Sequence, residues 1–251
     1  MGLFDGLIGG AGNKAYKEHV RATQLYKQKK YDEAKTHFGE AMKLYEEAYS
    51  KGGMTAKHLE AYAILLIRFG DFVKAKEMLT LAFKKPELSA DEKFDIRVDY
   101  AICLWKTGDL DKAIESMERA MQVKKNSTVY NTLGMFLIEK AKATGSAEDL
   151  DRAVSFNNEA MDYDDEDAGT LDNMAQLCML RGDDAKALEY EAKAYEIKPE
   201  QVVSSYFYAK LLAQSGNKEK AKRVLSELDD MPITCASQIS REMVEELKKK
   251  L

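Results

Sequence analysis

The sequence predicts an all-α protein, an α-solenoid of stacked antiparallel helix pairs. Apolar and small residues recur at three- and four-residue steps along most of the 251-residue chain, which is the period of an amphipathic helix. Short breaks that contain glycine separate successive periodic segments, and only 3 residues are proline. Because these helix–turn–helix units follow one another at similar length, a stacked array is expected rather than one large core.

The unit is clearest in residues 168–199. Its first helix presents four small or apolar anchors on one face, and its second helix presents three more anchors after the break at 181–183. In chain order these anchors are Leu171, Met174, Ala175, Cys178, Ala187, Glu191 and Ala194. Pro199 ends the second helix, because proline lacks the amide hydrogen that a continuing helix requires.

This spacing of anchors resembles the tetratricopeptide repeat, a unit of about 34 residues. The resemblance extends over residues 14–229, with one clear departure in the unit above: Glu191 stands where the family pattern has phenylalanine. It implies a right-handed superhelix that binds other proteins and has no catalytic role. It also implies that ligands bind in a concave groove, which the first helix of each repeat lines.

Six repeats are predicted, with a tail before them and a capping helix after them. In four repeats the turn between the two helices is Gly-Asp or Gly-Asn, so that glycine ends one helix and the next residue caps the following helix. These turns are Gly70-Asp71, Gly108-Asp109, Gly182-Asp183 and Gly216-Asn217. The predicted boundaries are 1–13 for the tail, 14–53, 54–88, 89–125, 126–164, 165–199 and 200–229 for the repeats, and 230–251 for the capping helix.

The two ends of the chain differ from the repeats. Residues 1–13 are apolar and rich in glycine, which favours a flexible tail or a cap on the first repeat, with any short helix broken at the glycines. At the other end, the apolar stripe formed by Ile239, Met243, Val244, Leu247 and Leu251 is expected to cover the last repeat. Contact with a membrane surface or with another copy is the alternative for either end.

Repeat four carries an insertion. Ala153 follows Leu137 after sixteen residues, whereas the equivalent anchors elsewhere are nine residues apart, as from Leu66 to Ala75. The extra residues predict a longer helical hairpin. Such a hairpin either binds a partner or only lengthens the two helices.

Composition argues against several classes of function. The net charge is −5 and no basic stripe is present, which argues against nucleic-acid binding. Cys103, Cys178 and Cys235 lack the spacing of a metal site or a disulfide framework, which favours free thiols and a reducing, cytoplasmic environment. No catalytic motif, phosphate loop or metal motif is found, so no enzyme activity, cofactor or metal is predicted.

The predicted partner site lies on the first helices of the repeats, at positions that flank the anchors. An exposed apolar strip is expected from Ile64, Ile67, Val98, Ile102, Trp105, Met135 and Ile138. Asn131 and Asn173 are expected to hydrogen-bond an extended peptide backbone. The full predicted set is Lys27, Lys57, Ile64, Arg68, Ile102, Trp105, Lys106, Asn131, Met135, Asn173, Gln176 and Lys210. Packing between neighbouring repeats is the alternative for each of these side chains.

The predicted function is a non-catalytic scaffold or adaptor that binds a peptide or a partner segment in the concave groove. The clamp with which some members of the family hold a C-terminal carboxylate is missing, because its positions hold His19, Thr23, Val98 and Ile102. The alternative is a self-assembling or membrane-peripheral scaffold that uses the N-terminal segment or the last helix. The sequence predicts neither the identity of the partner nor the oligomeric state.

Overall fold

The computed structural model describes residues 3–52 and 54–251, with side chains from residue 10 onward. Within these residues the chain forms thirteen α-helices and no β-strand. The helices are α1 (Leu3–Lys27), α2 (Tyr31–Ser50), α3 (Ala56–Phe69), α4 (Phe72–Phe83), α5 (Ala90–Lys106), α6 (Leu110–Val123), α7 (Ser127–Thr144), α8 (Ala147–Tyr163), α9 (Ala168–Leu180), α10 (Asp184–Ile197), α11 (Val202–Gln214), α12 (Lys218–Glu227) and α13 (Arg241–Lys249). The predicted all-α fold is confirmed.

The helices form two compact units, residues 1–108 and 109–251. The first unit contains α1 to α5 and the second contains α6 to α13. In each unit, neighbouring helices along the chain pack against each other as stacked pairs. The alanine anchors lie at the centres of these contacts and are fully buried, as Ala34, Ala75, Ala153 and Ala187 show. Alanine at these positions lets two helix backbones approach closely, while larger side chains fill the remaining space.

The repeated turns between paired helices have the predicted chemistry. Gly70, Gly108, Gly182 and Gly216 all adopt positive φ, between 76° and 89°, which glycine tolerates at low steric cost. Side chains of Asp71, Asp183 and Asn217 then accept a hydrogen bond from the backbone amide three residues later. Asp109 is the exception. It makes no capping bond, and its Oδ1 lies 3.4 Å from Nζ of Lys112.

The turn of the first repeat lacks this chemistry, and it provides a test of the rule. Lys29 takes the left-handed position with φ of 61°, and Lys30 stands at the N-cap of α2 without a side-chain bond. A non-glycine residue there costs about 1 kcal/mol, and a missing cap costs about as much. We therefore expect the double substitution Lys29→Gly and Lys30→Asp to raise the free energy of unfolding by about 1 to 2 kcal/mol. Chemical denaturation checks this. Lys35→Asp, an exposed change on α2 with the same charge difference as Lys30→Asp, is the control.

The N-terminal segment differs from the expectation. Helix α1 runs without a break from Leu3 to Lys27, so the glycines do not end it and residue 13 is not a helix boundary. Gly12 explains part of this, since a Cβ there would lie 2.6 Å from Nδ1 of His58 on α3. The glycine lets α1 lie close to the His58 ring, whose Nε2 is 3.3 Å from Oδ1 of Asn13. The side chains of residues 1–9 lie outside the described part of the chain, so their proposed role in docking stays a prediction.

The insertion in repeat four lengthens both helices of the pair. Helix α7 has 18 residues and α8 has 17, whereas α9 and α10 have 13 and 14. The tip is a tight turn at Gly145 and Ser146, in which Gly145 has φ of 63° and Ser146 caps α8. Nζ of Lys140 donates to Asp111 on α6 at 2.7 Å, which ties the longer hairpin to the preceding helix.

Helix α13 covers the end of the last repeat. Val244 on α13 is fully buried in one cluster with Leu225 and Leu228, and Met243, Leu247 and Leu251 pack against that cluster. The apolar stripe of the last helix therefore contacts the protein's own core. Ser240 caps the helix start, and Lys248 and Lys249 lie in its last turn, where positive charge is favourable.

Candidate functional site

In the first unit, several predicted groove residues lie open on α3 and α5. Ile64 on α3 is 40 % exposed. Ile102 and Trp105 on α5 are half-buried, and Lys106 holds its Nζ 4.1 Å from the centre of the Trp105 ring. These side chains offer aliphatic and aromatic area at the surface, and aromatic residues are enriched at protein-binding surfaces.

Three other basic residues of the predicted set have different surroundings. Lys27 is exposed near the end of α1. Nζ of Lys57 lies 4.5 Å from the centre of the Tyr16 ring. The guanidinium of Arg68 lies 4.6 Å from the Tyr26 ring and 4.4 Å from the Phe38 ring. Arg68 therefore joins the first and second repeats by packing on aromatic faces, and its charge is only partly available to a ligand.

The apolar strip predicted from the sequence is not continuous. Ile67 and Val98 in the first unit are each 8 % exposed, and Ile138 in the second unit is fully buried. These three side chains fill the space between neighbouring helices. The prediction that they are exposed is wrong, because flanking positions on a first helix also face the next repeat in the stack.

A cluster of acids on α3 and α5 accompanies the open side chains. Burial raises the pKa of Asp99 to about 7, and the nearby carboxylates of Glu60 and Asp95 add to the shift. The pKa of Glu60 is also raised, first by burial and then by Asp95 and Glu92. The mutual repulsion of these groups would be relieved by a cation. Asp99 lies outside the predicted set, although its spacing of four from Asp95 places both on one side of α5.

In the second unit, the predicted asparagines are used inside the protein. Nδ2 of Asn131 donates to Asp167 at 2.7 Å, and its Oδ1 accepts from the Thr170 hydroxyl at 2.9 Å. The backbone oxygen of Asn131 accepts from Nδ2 of Asn173 at 3.0 Å. These bonds join α7 to α9, and Asn173 is 3 % exposed. Both asparagines thus hold two repeats together, which corrects the expectation that they bind a peptide backbone.

The remaining predicted residues of the second unit fall into two groups. Met135 and Lys210 are half-buried, and Nζ of Lys210 lies 6.0 Å from the Phe207 ring. Gln176 is 1 % exposed and lies within a polar network. Nζ of Lys142 donates to Gln176 at 2.8 Å and to Glu139 at 2.9 Å. This network extends to the segment that precedes α13.

A buried pair of carboxyl groups lies between α9 and α10. Glu191 is fully buried and accepts from the Ser204 hydroxyl at 2.6 Å, while Asp172 accepts from Nε2 of Gln176 at 2.9 Å. Oδ1 of Asp172 and Oε1 of Glu191 are buried without a hydrogen-bond partner among the described residues. Two buried carboxyls that shift each other's pKa favour one shared proton, because two negative charges there would repel each other. Burial raises the pKa of Asp172 to about 6, and burial together with Asp172 raises the pKa of Glu191 well above its usual value.

A cleft of about 400 Å³ lies between α6, α7 and α8. Its rim carries two ion pairs, Arg152 with Glu118 at 2.5 Å and Lys125 with Glu159 at 3.0 Å, and Leu133, Leu137 and Phe156 contribute to its walls. None of the predicted site residues lines this cleft. Among the described side chains, no group of three or more His, Cys, Asp or Glu residues is placed to hold a metal ion.

A family model for the tetratricopeptide repeat matches residues 11–228. The chain belongs to the tetratricopeptide repeat family. A sequence comparison with curated proteins found no significant match. Among solved structures, a tetratricopeptide repeat protein from Parabacteroides merdae is 15 % identical with a TM-score of 0.68, over 98 % of this chain and 90 % of the other chain.

A second solved tetratricopeptide repeat protein, from Thermus thermophilus, is 20 % identical with a TM-score of 0.56. That alignment covers 79 % of this chain and 99 % of the other chain. The likeness of these two structures establishes the tetratricopeptide repeat fold. Proteins of this family generally act as protein-interaction scaffolds and are typically non-catalytic. Among the described residues, no helix is both long enough and apolar enough to cross a membrane.

The family pattern also marks one position where the core of a repeat is polar. Glu191 departs from the family pattern, and in the structure it forms the polar centre of repeat five with Asp172, Gln176 and Ser204. In the sequence, the signal for this polar centre was an acid at a position that the family pattern places in the core. Because a buried acid needs partners, a polar group on a facing helix could have been sought for it. The anchor pattern alone did not identify Asp172 as that partner.

Proposed function

We propose that this protein is a non-catalytic adaptor that binds a peptide or an extended partner segment on the surface of α3 and α5 in the first unit. The observation that carries the proposal is Ile64, which is 40 % exposed one turn after Glu60 on α3. Ile102 and Trp105 on α5 are half-buried and offer further apolar area. Burial of such side chains against a ligand would contribute about 25 cal/mol for each Å² of apolar surface removed from water.

The charges nearby favour a ligand with basic side chains. Glu60, Asp95 and Asp99 repel one another, and this repulsion helps to raise the pKa values of Glu60 and Asp99. A lysine or arginine of a ligand would stabilise the charged carboxylates and offset part of their desolvation. The proposed ligand therefore combines one or two aliphatic or aromatic side chains with at least one basic side chain.

A cytoplasmic location belongs to the same proposal. It is supported by Cys103, a buried free thiol whose pKa burial raises to about 12, and by the free Cys178 and Cys235. Free thiols are typical of proteins from reducing compartments.

Selection of peptides from a random library tests the proposed site. The wild type, Ile64→Ser and Val73→Ser would each be immobilised and used to select peptides displayed on phage. Val73 on α4 is the matched control, since it is also β-branched and is 70 % exposed. We expect the wild type and Val73→Ser to enrich the same peptides, with Lys or Arg beside an apolar residue. Ile64→Ser is expected to weaken binding of those peptides at least fivefold.

Fluorescence titration of the best peptide gives the affinities, and circular dichroism checks that each variant is folded. Equal affinity for the wild type and Ile64→Ser would remove this surface from the binding site. Enrichment of acidic peptides would contradict the role proposed for Glu60, Asp95 and Asp99.

A further inference from the structure

Residues 229–240, here named the strap, connect α12 to α13. The strap contains no helix, and its side chains are mostly half-buried rather than exposed. Met231 and Ile233 pack against the core of the last repeat, and Ile239 is only 3 % exposed within it. The strap therefore lies on the protein in a defined position rather than as a free linker.

Gln238 places the strap against the first helices of repeats four and five. Its Nε2 donates to Oε1 of Glu139 on α7 at 3.3 Å and to Oε1 of Gln176 on α9 at 3.4 Å. In return, Nε2 of Gln176 donates to Oε1 of Gln238 at 3.3 Å. The contacts join residues 62 and 99 positions apart in the sequence. They place the strap across α7 and α9 in the second unit.

The groups that bind Gln238 are also held in place by other side chains. Lys142 donates to both Glu139 and Gln176, at 2.9 and 2.8 Å. Gln176 also donates to Asp172 at 2.9 Å and is 1 % exposed. The carboxamide of Gln238 both donates to Glu139 and accepts from Gln176 in this arrangement. The site thus has the donor and acceptor pattern that recognises a glutamine.

An apolar site lies directly beside the carboxamide site. Ile239 follows Gln238 and belongs to one buried cluster with Tyr206 and Tyr208 of α11. Val203 and Phe207 pack against the same cluster. The surface therefore contacts two consecutive side chains of the strap, first an amide and then an aliphatic group.

We propose that the surface formed by α7, α9 and α11 is a second peptide-binding site, and that the strap occupies it as an internal ligand. The external ligand is a segment of another protein that carries glutamine followed by isoleucine or a similar aliphatic residue. It binds by displacing the strap. This inference is independent of the site proposed on α3 and α5, because the residues involved belong to the second unit.

The strap has the properties of a displaceable ligand. Its own backbone contributes few hydrogen bonds, such as that from the amide of Ser237 to the oxygen of Thr234 at 3.0 Å. Arg241 at the start of α13 donates to the backbone oxygens of Leu228 and Met231, which fixes the two ends of the connection near each other. Tethering gives the strap an effective concentration on the order of millimolar, so a free peptide must compete with it.

A labelled peptide with the sequence of residues 229–241, in which serine replaces Cys235, is the probe. Its affinity would be measured by fluorescence anisotropy for the wild type and for Gln238→Ala combined with Ile239→Ser. We expect the double variant to bind the probe at least tenfold more tightly than the wild type, because its own strap competes less well. A probe with alanine in place of glutamine is expected to bind the double variant at least fivefold more weakly.

Two further variants keep the test decisive. Cys235→Ser changes an exposed residue of the strap and is expected to behave as the wild type. Gln238→Ala alone leaves the apolar contact of Ile239 in place and serves if the double variant does not fold. Ile64→Ser is expected to leave probe binding unchanged, which separates this inference from the site in the first unit. The inference is overturned if folded strap variants bind the probe no better than the wild type, or if the alanine probe binds equally well.

Discussion

Gly134→Ala is expected to lower the free energy of unfolding by about 2 to 4 kcal/mol, as overpacking and lost buried hydrogen bonds do in other proteins. A Cβ at this position of α7 would lie 2.3 Å from Oδ1 of Asn157 and 2.8 Å from Nδ2 of Asn173. Both side chains are buried and hydrogen-bonded, Asn157 to Ala153 at 2.8 Å and Asn173 to Asn131 at 3.0 Å. Neither can move away without breaking its bond.

Gly39→Ala is the matched control for this change. Gly39 also lies inside a helix, α2, and a Cβ there would meet nothing within 4 Å. Alanine favours the helix over glycine by about 1 kcal/mol, so Gly39→Ala is expected to stabilise the protein. Urea denaturation of both variants gives the comparison. A Gly134→Ala protein as stable as the wild type would show that α7, α8 and α9 can separate at this point without cost.

The repeat pattern does not show which side chains of the neighbouring helices surround Gly134. Helix periodicity places a residue on a face, and the repeat pattern says which face is buried. Both were sufficient for the helix pairs, for the Gly-Asp turns and for the cover provided by α13. Neither says which side chain of the next helix lies opposite, since that depends on how two repeats are rotated against each other. The contact with Asn157 and Asn173 is of this kind.

The same limit explains the mixed outcome at the predicted site. Ile64 and Val98 occupy flanking positions on first helices, yet Ile64 is 40 % exposed and Val98 is 8 % exposed. Asn131 was expected to face a ligand, whereas Asp167 and Thr170 of the next repeat use its amide. A polar side chain near a repeat boundary can either bind a ligand or join two repeats, and the residues that face it decide which of the two it does. The strap was not predicted either, because Gln238 meets partners 62 and 99 positions away.

The break of α1 at its glycines was predicted on local propensity. Glycine in a helix costs about 1 kcal/mol relative to alanine, an amount that tertiary packing readily exceeds. At Gly12 the absence of a side chain is what allows α1 to approach His58. A residue that is unfavourable for the isolated helix is thus favourable for the packed one.

Glu191→Gln is expected to change how stability depends on pH. The pKa of Asp172 is raised to about 6 and the pKa of Glu191 is raised well above its usual value, mainly because both carboxyls are buried. The folded protein therefore keeps a proton that the unfolded chain releases above about pH 4.5. Since the folded state binds more protons, stability from this pair is fully present at low pH and is lost as the pH rises.

The loss can reach about 1.4 kcal/mol for each pH unit in this range. Glutamine at position 191 can donate to Asp172 at any pH, so the variant does not depend on the proton. Relative to the wild type, Glu191→Gln is expected to gain stability between pH 5 and pH 7, by up to about 2.7 kcal/mol, which is the limit for one proton over two pH units. Urea denaturation at several pH values measures both proteins under the same conditions.

Glu189→Gln is the control, because Glu189 lies on the same helix and is exposed. It reports the effect of removing one negative charge without changing the buried pair. Other groups, such as Asp99 and His58, titrate identically in all three proteins and cancel in the differences. If the wild type and Glu191→Gln curves run parallel from pH 5 to pH 7, the carboxyls do not share a proton. Position 191 would then hold an ionised carboxylate that the Ser204 hydroxyl stabilises by its hydrogen bond of 2.6 Å.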